Sequence, residues 1–210
     1  VSFHYSGGTI LSNFDLHLKP HETVALTGPS GSGKSTVVDL LCGLRAPDSG
    51  HIELDGIDLR ELRPDSLREH LAAARSVEIF DGTIDENVHL NRPEISPLDV
   101  REALSTVGLL DEVLWLADGL DTRLLTHGSP LSSGQALRLM IARAIVGRPR
   151  LLLIDGTLDG LDDDSLTTVL ERLTSNDAPW TLLIATGRKT VIDACQRVVS
   201  LGLPAMNSAK

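Results

Sequence analysis

Apolar and polar residues alternate at the start of the chain. Val1, Phe3 and Tyr5 are separated by polar positions, and residues 9–18 (TILSNFDLHL) alternate again after the turn former Ser6-Gly7-Gly8. This period of two predicts a pair of half-buried strands. A short strand over 22–27, a helix over 34–44, a turn at Pro47-Asp48-Ser49-Gly50 and a strand over 51–55 follow. Residues 66–70 form a short helical turn ahead of an Ala-rich strand at 71–77. The middle third is helical in pattern. Ser96-Pro97-Leu98-Asp99 combines a cap, a proline at the first helical position and an acid in the first turn, which starts a helix running to about residue 107. Further helices are predicted over 110–117 and 132–146. Leu151-Leu152-Leu153-Ile154 is a continuous apolar run, as in a parallel strand covered on both faces. Helix 165–174, strand 181–185, helix 190–195 and strand 197–201 complete the pattern. A β-rich start, a β/α unit, a helical insert and a β/α/β/α end predict an α/β fold with a mixed sheet core and a helical sub-lobe. Residues 202–210 read as a disordered tail.

One turn in this pattern carries chemistry. Residues 28–36 read GPSGSGKST, directly after Val24-Ala25-Leu26 and directly before Val37-Val38. This is the spacing of a P-loop. Gly28, Pro29, Ser30, Gly31, Ser32 and Gly33 form a loop whose backbone N–H groups face phosphate oxygens, and the helix that follows offers its positive end. Lys34 reaches the outer phosphates, the Ser35 hydroxyl suits Mg²⁺, and Thr36 completes the motif. A phosphate-bearing ligand with Mg²⁺ is therefore expected. Asp155, at the end of the apolar run, falls where open α/β sheets place their ligands and suits the metal partner of Ser35.

Bulk properties narrow the class further. The 210 residues suit one domain, and 41% hydrophobic content is ordinary for a globular chain. A net charge of −10 provides no basic footprint for nucleic acid, so none is expected as a partner. Cys42 and Cys195 match no metal spacing and are expected as free thiols. No apolar stretch approaches the ~18 residues of a membrane span. The chain opens directly on a strand pattern, as a fragment of a longer chain would.

Leu131-Ser132-Ser133-Gly134-Gln135 opens the helix that carries Arg138 and Ile141-Ala142-Arg143-Ala144. Together with the P-loop, the apolar run into Asp155 and the closing Gly160-Leu161-Asp162, it resembles the LSGGQ signature of ABC transporter nucleotide-binding domains. The resemblance covers residues 1–201 and makes the expected phosphate-bearing ligand ATP. It implies a β-subdomain and P-loop core in about 1–90 and 147–201, with a helical subdomain in about 91–146. It also implies head-to-tail pairing with a second nucleotide-binding domain, whose ATP the signature residues 131–135 would contact. Tyr5 resembles the family's adenine-stacking aromatic; continuation of the core-facing Val1 and Phe3 is the alternative. Residues 79–87 (IFDGTIDEN) are similar to the exporter-type stretch near the transmembrane coupling surface. A transmembrane domain would then contact residues 80–87, on the cytoplasmic face of a membrane.

The departures from the family pattern cluster on hydrolysis. The glutamate expected after Asp155 is Gly156, and the histidine expected after Ile184-Ala185 is replaced by Thr186-Gly187. The glutamine expected between Leu71 and Phe80 is missing from a segment, Ala72-Ala73-Ala74-Arg75-Ser76-Val77, that reads as one residue short. Thr126 stands for the glutamate before the signature, and Ser133 for the signature's first glycine. No catalytic residue is therefore assigned. Asp159 and Asp162 are the nearby acids weighed as substitute bases, and His127 reads as an exposed residue. The expected function is an exporter's Mg-ATP-binding domain with impaired hydrolysis at its own site. The alternative is a non-hydrolytic ATP-binding regulatory or assembly module of the same fold.

Overall fold

The computed structural model describes residues 1–202 except Gly7 and His127. All but Gly202 of the tail expected over 202–210, and the reading of His127 as exposed, lie outside the described residues.

The chain begins with an antiparallel pair, β1 (Phe3–Tyr5) and β2 (Gly8–Leu11). The alternation over residues 9–18 therefore yields a strand only as far as Leu11; beyond it Phe14 exchanges backbone bonds with Val1, but residues 12–18 form no strand. Strand β3 (Thr23–Thr27) leads through the P-loop into helix α1 (Lys34–Leu41). The strand expected over 51–55 is instead a tight hairpin, β4 (Glu53–Leu54) with β5 (Ile57–Asp58). Its Asp55-Gly56 corner has φ of 53° and 80°, the left-handed pair that an Asp-Gly hairpin turn requires.

Helix α2 (Pro64–His70) then delivers β6 (Leu71–Ala74), shorter than the expected 71–77. Strand β7 (Gly82–Thr83) precedes α3 (Ile84–His89), a helix that the periodicity did not predict. Its start is nonetheless written locally. Thr83 Oγ1 accepts from the Glu86 N–H at 3.0 Å, and Glu86 Oε2 accepts from the Thr83 N–H at 2.8 Å, a reciprocal capping box. The expected helical middle follows as α4 (Pro97–Thr106) and α5 (Leu110–Leu114). Strand β8 (Arg123–Leu124) pairs with β7. Helix α6 (Ser133–Ile145), β9 (Leu151–Asp155), α7 (Asp163–Leu173), β10 (Thr181–Ala185), α8 (Lys189–Asp193) and β11 (Arg197–Ser200) complete the order.

The central sheet runs β11-β3-β10-β9-β6 and every pairing in it is parallel. The antiparallel part of the expected mixed sheet is segregated into the small two-stranded sheets. Successive residues of the apolar runs split between two cores, as a pleat demands. Leu152, Ile154, Leu182 and Ile184 pack with α4, α6 and α7 on one face. Leu151, Leu153, Leu183, Val24 and Leu26 pack with α1, β1 and β2 on the other. Cys42 and Cys195 are free, as expected, and burial pushes each thiol up to about 11.

Parallel register brings the functional ends together. Ile184 pairs with Ile154 and Ala25, and Ala185 with Asp155 and Leu26. The strand end that opens into the P-loop and the strand end that carries Asp155 are thus separated by one strand, at the carboxyl edge where such sheets bind ligands.

Candidate functional site

The P-loop folds as its glycines allow. Gly28 has φ of +149°, and a Cβ there would lie 2.6 Å from both the Leu201 carbonyl and Ser32 Oγ. Only glycine lets the loop pass at that distance. Lys34 Nζ donates to the carbonyls of Gly28 at 2.7 Å and Pro29 at 3.0 Å, so its ammonium lies over the loop. Ser35 Oγ donates to Asp155 Oδ1 at 3.1 Å across 120 residues of sequence. A hydroxyl and a carboxylate so close are hard oxygen donors of the type one Mg²⁺ takes. Ser32 Oγ is buried without a partner among the described residues, an unsatisfied polar atom inside the phosphate loop. The donor set thus fits a phosphate group with its divalent cation.

Tyr5 is not a core residue. It is 37% exposed while Phe3 is 6%. Its hydroxyl is 3.5 Å from Thr36 Oγ1, Phe3 meets its ring edge-on at 5.0 Å, and the Arg45 guanidinium lies 4.8 Å from its ring centre. The aromatic therefore stands beside the helix that leaves the P-loop.

The signature residues are elsewhere. Ser132 Oγ accepts from the Gln135 N–H at 3.2 Å, and Gln135 Oε1 accepts from the Ser132 N–H at 2.8 Å. Gln135 Nε2 donates to Glu112 Oε2 at 2.7 Å. Arg138 binds the same carboxylate at 2.7 Å and the Gly108 carbonyl at 2.7 Å. The Arg138 pairing, opposed by burial and reinforced by Gln135, holds the Glu112 carboxyl below its usual range. The signature segment is thus a rigid helix start whose hydrogen bonds go to α5 and its own backbone, not to the P-loop. Leu131 packs partly buried against the core, while Ser132 and Ser133 are exposed.

At the departures, the structure shows what the substituted residues do. Gly156 has φ of +73°, and a Cβ there would meet nothing within 4 Å. Asp162 is committed as the cap of α7: its Oδ1 accepts from the Ser165 N–H at 2.9 Å, and that bond keeps its pKa low. Asp159 is committed to Thr186, whose buried hydroxyl donates to it. The same Thr186 oxygen accepts from the Arg188 N–H at 3.0 Å. One oxygen of each acid is thus engaged away from the P-loop, and Thr186 spends its hydroxyl internally.

One site residue escaped the sequence reading. Arg75 follows the last residue of β6, and Ala74 pairs with Ile154, so Arg75 emerges beside Asp155. Its Nη1 donates to Asp39 Oδ1 at 2.7 Å and its Nη2 to Asp155 Oδ2 at 3.4 Å. Burial works against the guanidinium's charge, but the Asp39 bond and the Asp39 and Asp155 charges outweigh it and raise the pKa. The sequence signals were a lone charge ending an alanine run and its place in the segment where the resemblance expects a glutamine.

The stretch at residues 80–87 is pinned rather than loose. Asn87 is fully buried. Its Nδ2 donates to the carbonyls of Phe80 at 3.1 Å and Thr83 at 2.9 Å, and its Oδ1 accepts from the Phe80 N–H at 3.3 Å. Phe80 itself remains exposed. Among the described residues no helix is long and apolar enough to cross a membrane.

Known proteins resemble this chain in sequence and fold. A family model described as ABC transporter matches residues 11–158. An ATP-dependent lipid A-core flippase of Ralstonia nicotianae is 40% identical over 207 residues, covering 96% of this chain and 35% of that protein. A mycobactin import ATP-binding/permease protein, IrtB, of Mycolicibacterium thermoresistibile is 36% identical over 201 residues, covering 95% of this chain and 34% of that protein. A solved bacterial Atm1-family ABC exporter with ATP bound superposes with a TM-score of 0.90 at 29% identity, covering 97% of this chain and 36% of that one. The chain spans about a third of the length of the curated relatives it matches. The chain belongs to the ABC transporter family and forms an ATP-binding domain similar to those of exporters.

Proposed function

We propose that this chain is the nucleotide-binding domain of an exporter that binds Mg-ATP and hydrolyses it slowly. The carrying observation is the contrast between two neighbours. Asp155 is hydrogen-bonded to Ser35 of the P-loop, while the next residue, Gly156, has no side chain to activate water. Residues 28–36 cradle the phosphates, with Lys34 on the outer ones, and Tyr5 stacks on the base. Ser35 and Asp155 hold Mg²⁺, which when bound neutralises phosphate charge. Loss of a general base lowers the rate by about 10²–10⁴. Asp159 is engaged by Thr186 and Asp162 by its helix, so the two nearest acids are each held in another contact.

Coupling to transport rests on two surfaces. Residues 131–135 present a rigid helix start that closes on ATP held by a second nucleotide-binding domain in a head-to-tail dimer. Exposed Phe80, on the pinned stretch at 80–87, faces transmembrane segments at the cytoplasmic side of the membrane. Residues 91–146 act as the helical subdomain between these surfaces, the remainder as the core. ATP binding drives dimer closure, and a catalytically intact partner domain supplies hydrolysis where one is paired.

The test is parallel ATP binding and turnover on the purified chain, with Lys34→Ala as control. Lys34-dependent binding with turnover at least about a hundredfold below an intact family member is expected. Robust Lys34-dependent hydrolysis by the chain alone would overturn the reading.

A further inference from the structure

The guanidinium of Arg75 already occupies one side of the carboxylate that the metal needs. Asp155 divides its oxygens between two partners: Oδ1 accepts from Ser35 at 3.1 Å and Oδ2 from Arg75 at 3.4 Å. Asp39, five residues beyond Lys34 on α1, anchors the other arm of Arg75 at 2.7 Å, and Asp39 is itself shared with Arg45 at 3.3 Å. The Arg75 side chain is 31% exposed, so it is fixed at two points and open at its rim. A guanidinium has five N–H donors in a planar fork, of which these two pairings use a part. The rest is geometry suited to phosphate oxygens, which arginine binds through charge-assisted bonds.

We propose that Arg75 is a resident cation of the nucleotide site, neutralising outer-phosphate charge that would otherwise fall to Mg²⁺, so that ATP binding depends only weakly on the metal. The proposal rests on the ATP-binding reading above and goes beyond it. It follows from charge and position together. A dication placed at Asp155 shares that carboxylate with an arginine that cannot deprotonate, so the metal gains less there. The nucleotide, in turn, finds a fixed positive charge whether or not metal is present. The Asp39 anchor matters because it removes rotamer freedom from a long side chain before ligand arrives.

The experiment is isothermal titration of the purified chain with ATP, once with excess Mg²⁺ and once with EDTA, for the wild type and for Arg75→Gln, Arg75→Lys and Lys34→Ala. The wild type is expected to weaken by less than about threefold on metal removal, whereas Arg75→Gln weakens by a further factor of about ten, the worth of one charge-assisted contact. Arg75→Lys, which keeps the charge without the fork, is expected in between. A wild type that loses tenfold or more in EDTA overturns the proposal without any variant. An Arg75→Gln ratio equal to the wild-type ratio overturns it equally. Absence of Lys34-dependent ATP binding in both conditions instead overturns the ATP-binding reading, and the Arg75 proposal with it.

Discussion

Arg143 holds Asn87 twice, donating from Nη2 to its side-chain oxygen at 2.9 Å and from Nε to its carbonyl at 2.6 Å. The half-buried Arg143 and the buried Asn87 therefore tie α6, which starts at the signature-like residues 132–135, to α3 and the stretch before it. The same guanidinium donates to the Glu78 carbonyl at 2.6 Å and lies 5.7 Å from the Phe80 ring centre. Burial lowers the Arg143 pKa, and the Glu78 charge opposes that shift.

Asn87→Ala removes the centre of that network and leaves Arg143 short of a buried acceptor. The expected loss of stability is about 2–4 kcal/mol, read by denaturant unfolding. A loss under about 1 kcal/mol would show that Arg143 re-pairs without cost.

Much of this arrangement was legible in the chain. The P-loop, the apolar run into Asp155 and the capped start of α6 are local patterns, and local patterns fold as written. Helix α3 was missed although Thr83 and Glu86 spell its cap, because only six residues follow and no apolar period builds up. The strand at 12–18 was over-read because alternation alone does not provide a neighbouring strand to pair with. Arg75 was invisible for a different reason. Its role depends on β6 lying against β9, a pairing between positions 80 residues apart, and no local period encodes that. The commitment of Asp159 is likewise a three-dimensional fact, since Thr186 lies 27 residues away. That of Asp162 is local, a cap bonded to Ser165 at the start of its own helix.

The Glu22–Arg197 pair should contribute to acid sensitivity. The Arg197 guanidinium donates to Glu22 at 2.6 and 2.9 Å and, against a burial effect that raises it, brings the carboxyl down to about 2 from an ordinary 4.5. A depressed folded-state pKa means that the ionised form stabilises the fold. That contribution is fully present above the unfolded value and is lost as pH falls from about 4.5 towards 2. Glu22→Gln should therefore lower stability at pH 7 and flatten its decline across that acid window. Thermal unfolding scans at pH 7, 4 and 3 check this, and parallel curves for the two proteins would contradict it.

Strain in the phosphate loop gives a sharper test of the site. Gly28→Ala places a methyl group 2.6 Å from a backbone carbonyl and from Ser32 Oγ, so the loop must move. ATP affinity is expected to fall at least about tenfold, because a shift near one ångström misaligns several phosphate donors together. Near-ultraviolet circular dichroism should stay close to wild type, since the displaced segment lies on the surface edge of the sheet. Wild-type affinity would mean that phosphates bind elsewhere.

Gly156 poses the converse question, whether the missing carboxylate can be returned. The residue has φ of +73°, a left-handed backbone that costs a side chain about 1 kcal/mol. Space is not the obstacle, as a Cβ there meets nothing within 4 Å. Its N–H, bonded to the Ala185 carbonyl at 3.0 Å, survives substitution by any residue but proline. Gly156→Glu is therefore expected to fold, to lose about 1 kcal/mol of stability and to raise ATP turnover by about tenfold. That gain is smaller than a general base provides in an intact site, because Thr186 still engages Asp159 instead of the substrate. Adding Thr186→His frees Asp159 and supplies a donor at the end of β10, so the double variant should exceed the single one. Steady-state phosphate release by the two variants against wild type decides the matter. If neither rises while ATP binding is kept, the left-handed backbone at 156 aims the carboxylate away from the attacking water, and the degenerate site is fixed in its main chain as well as in its side chains.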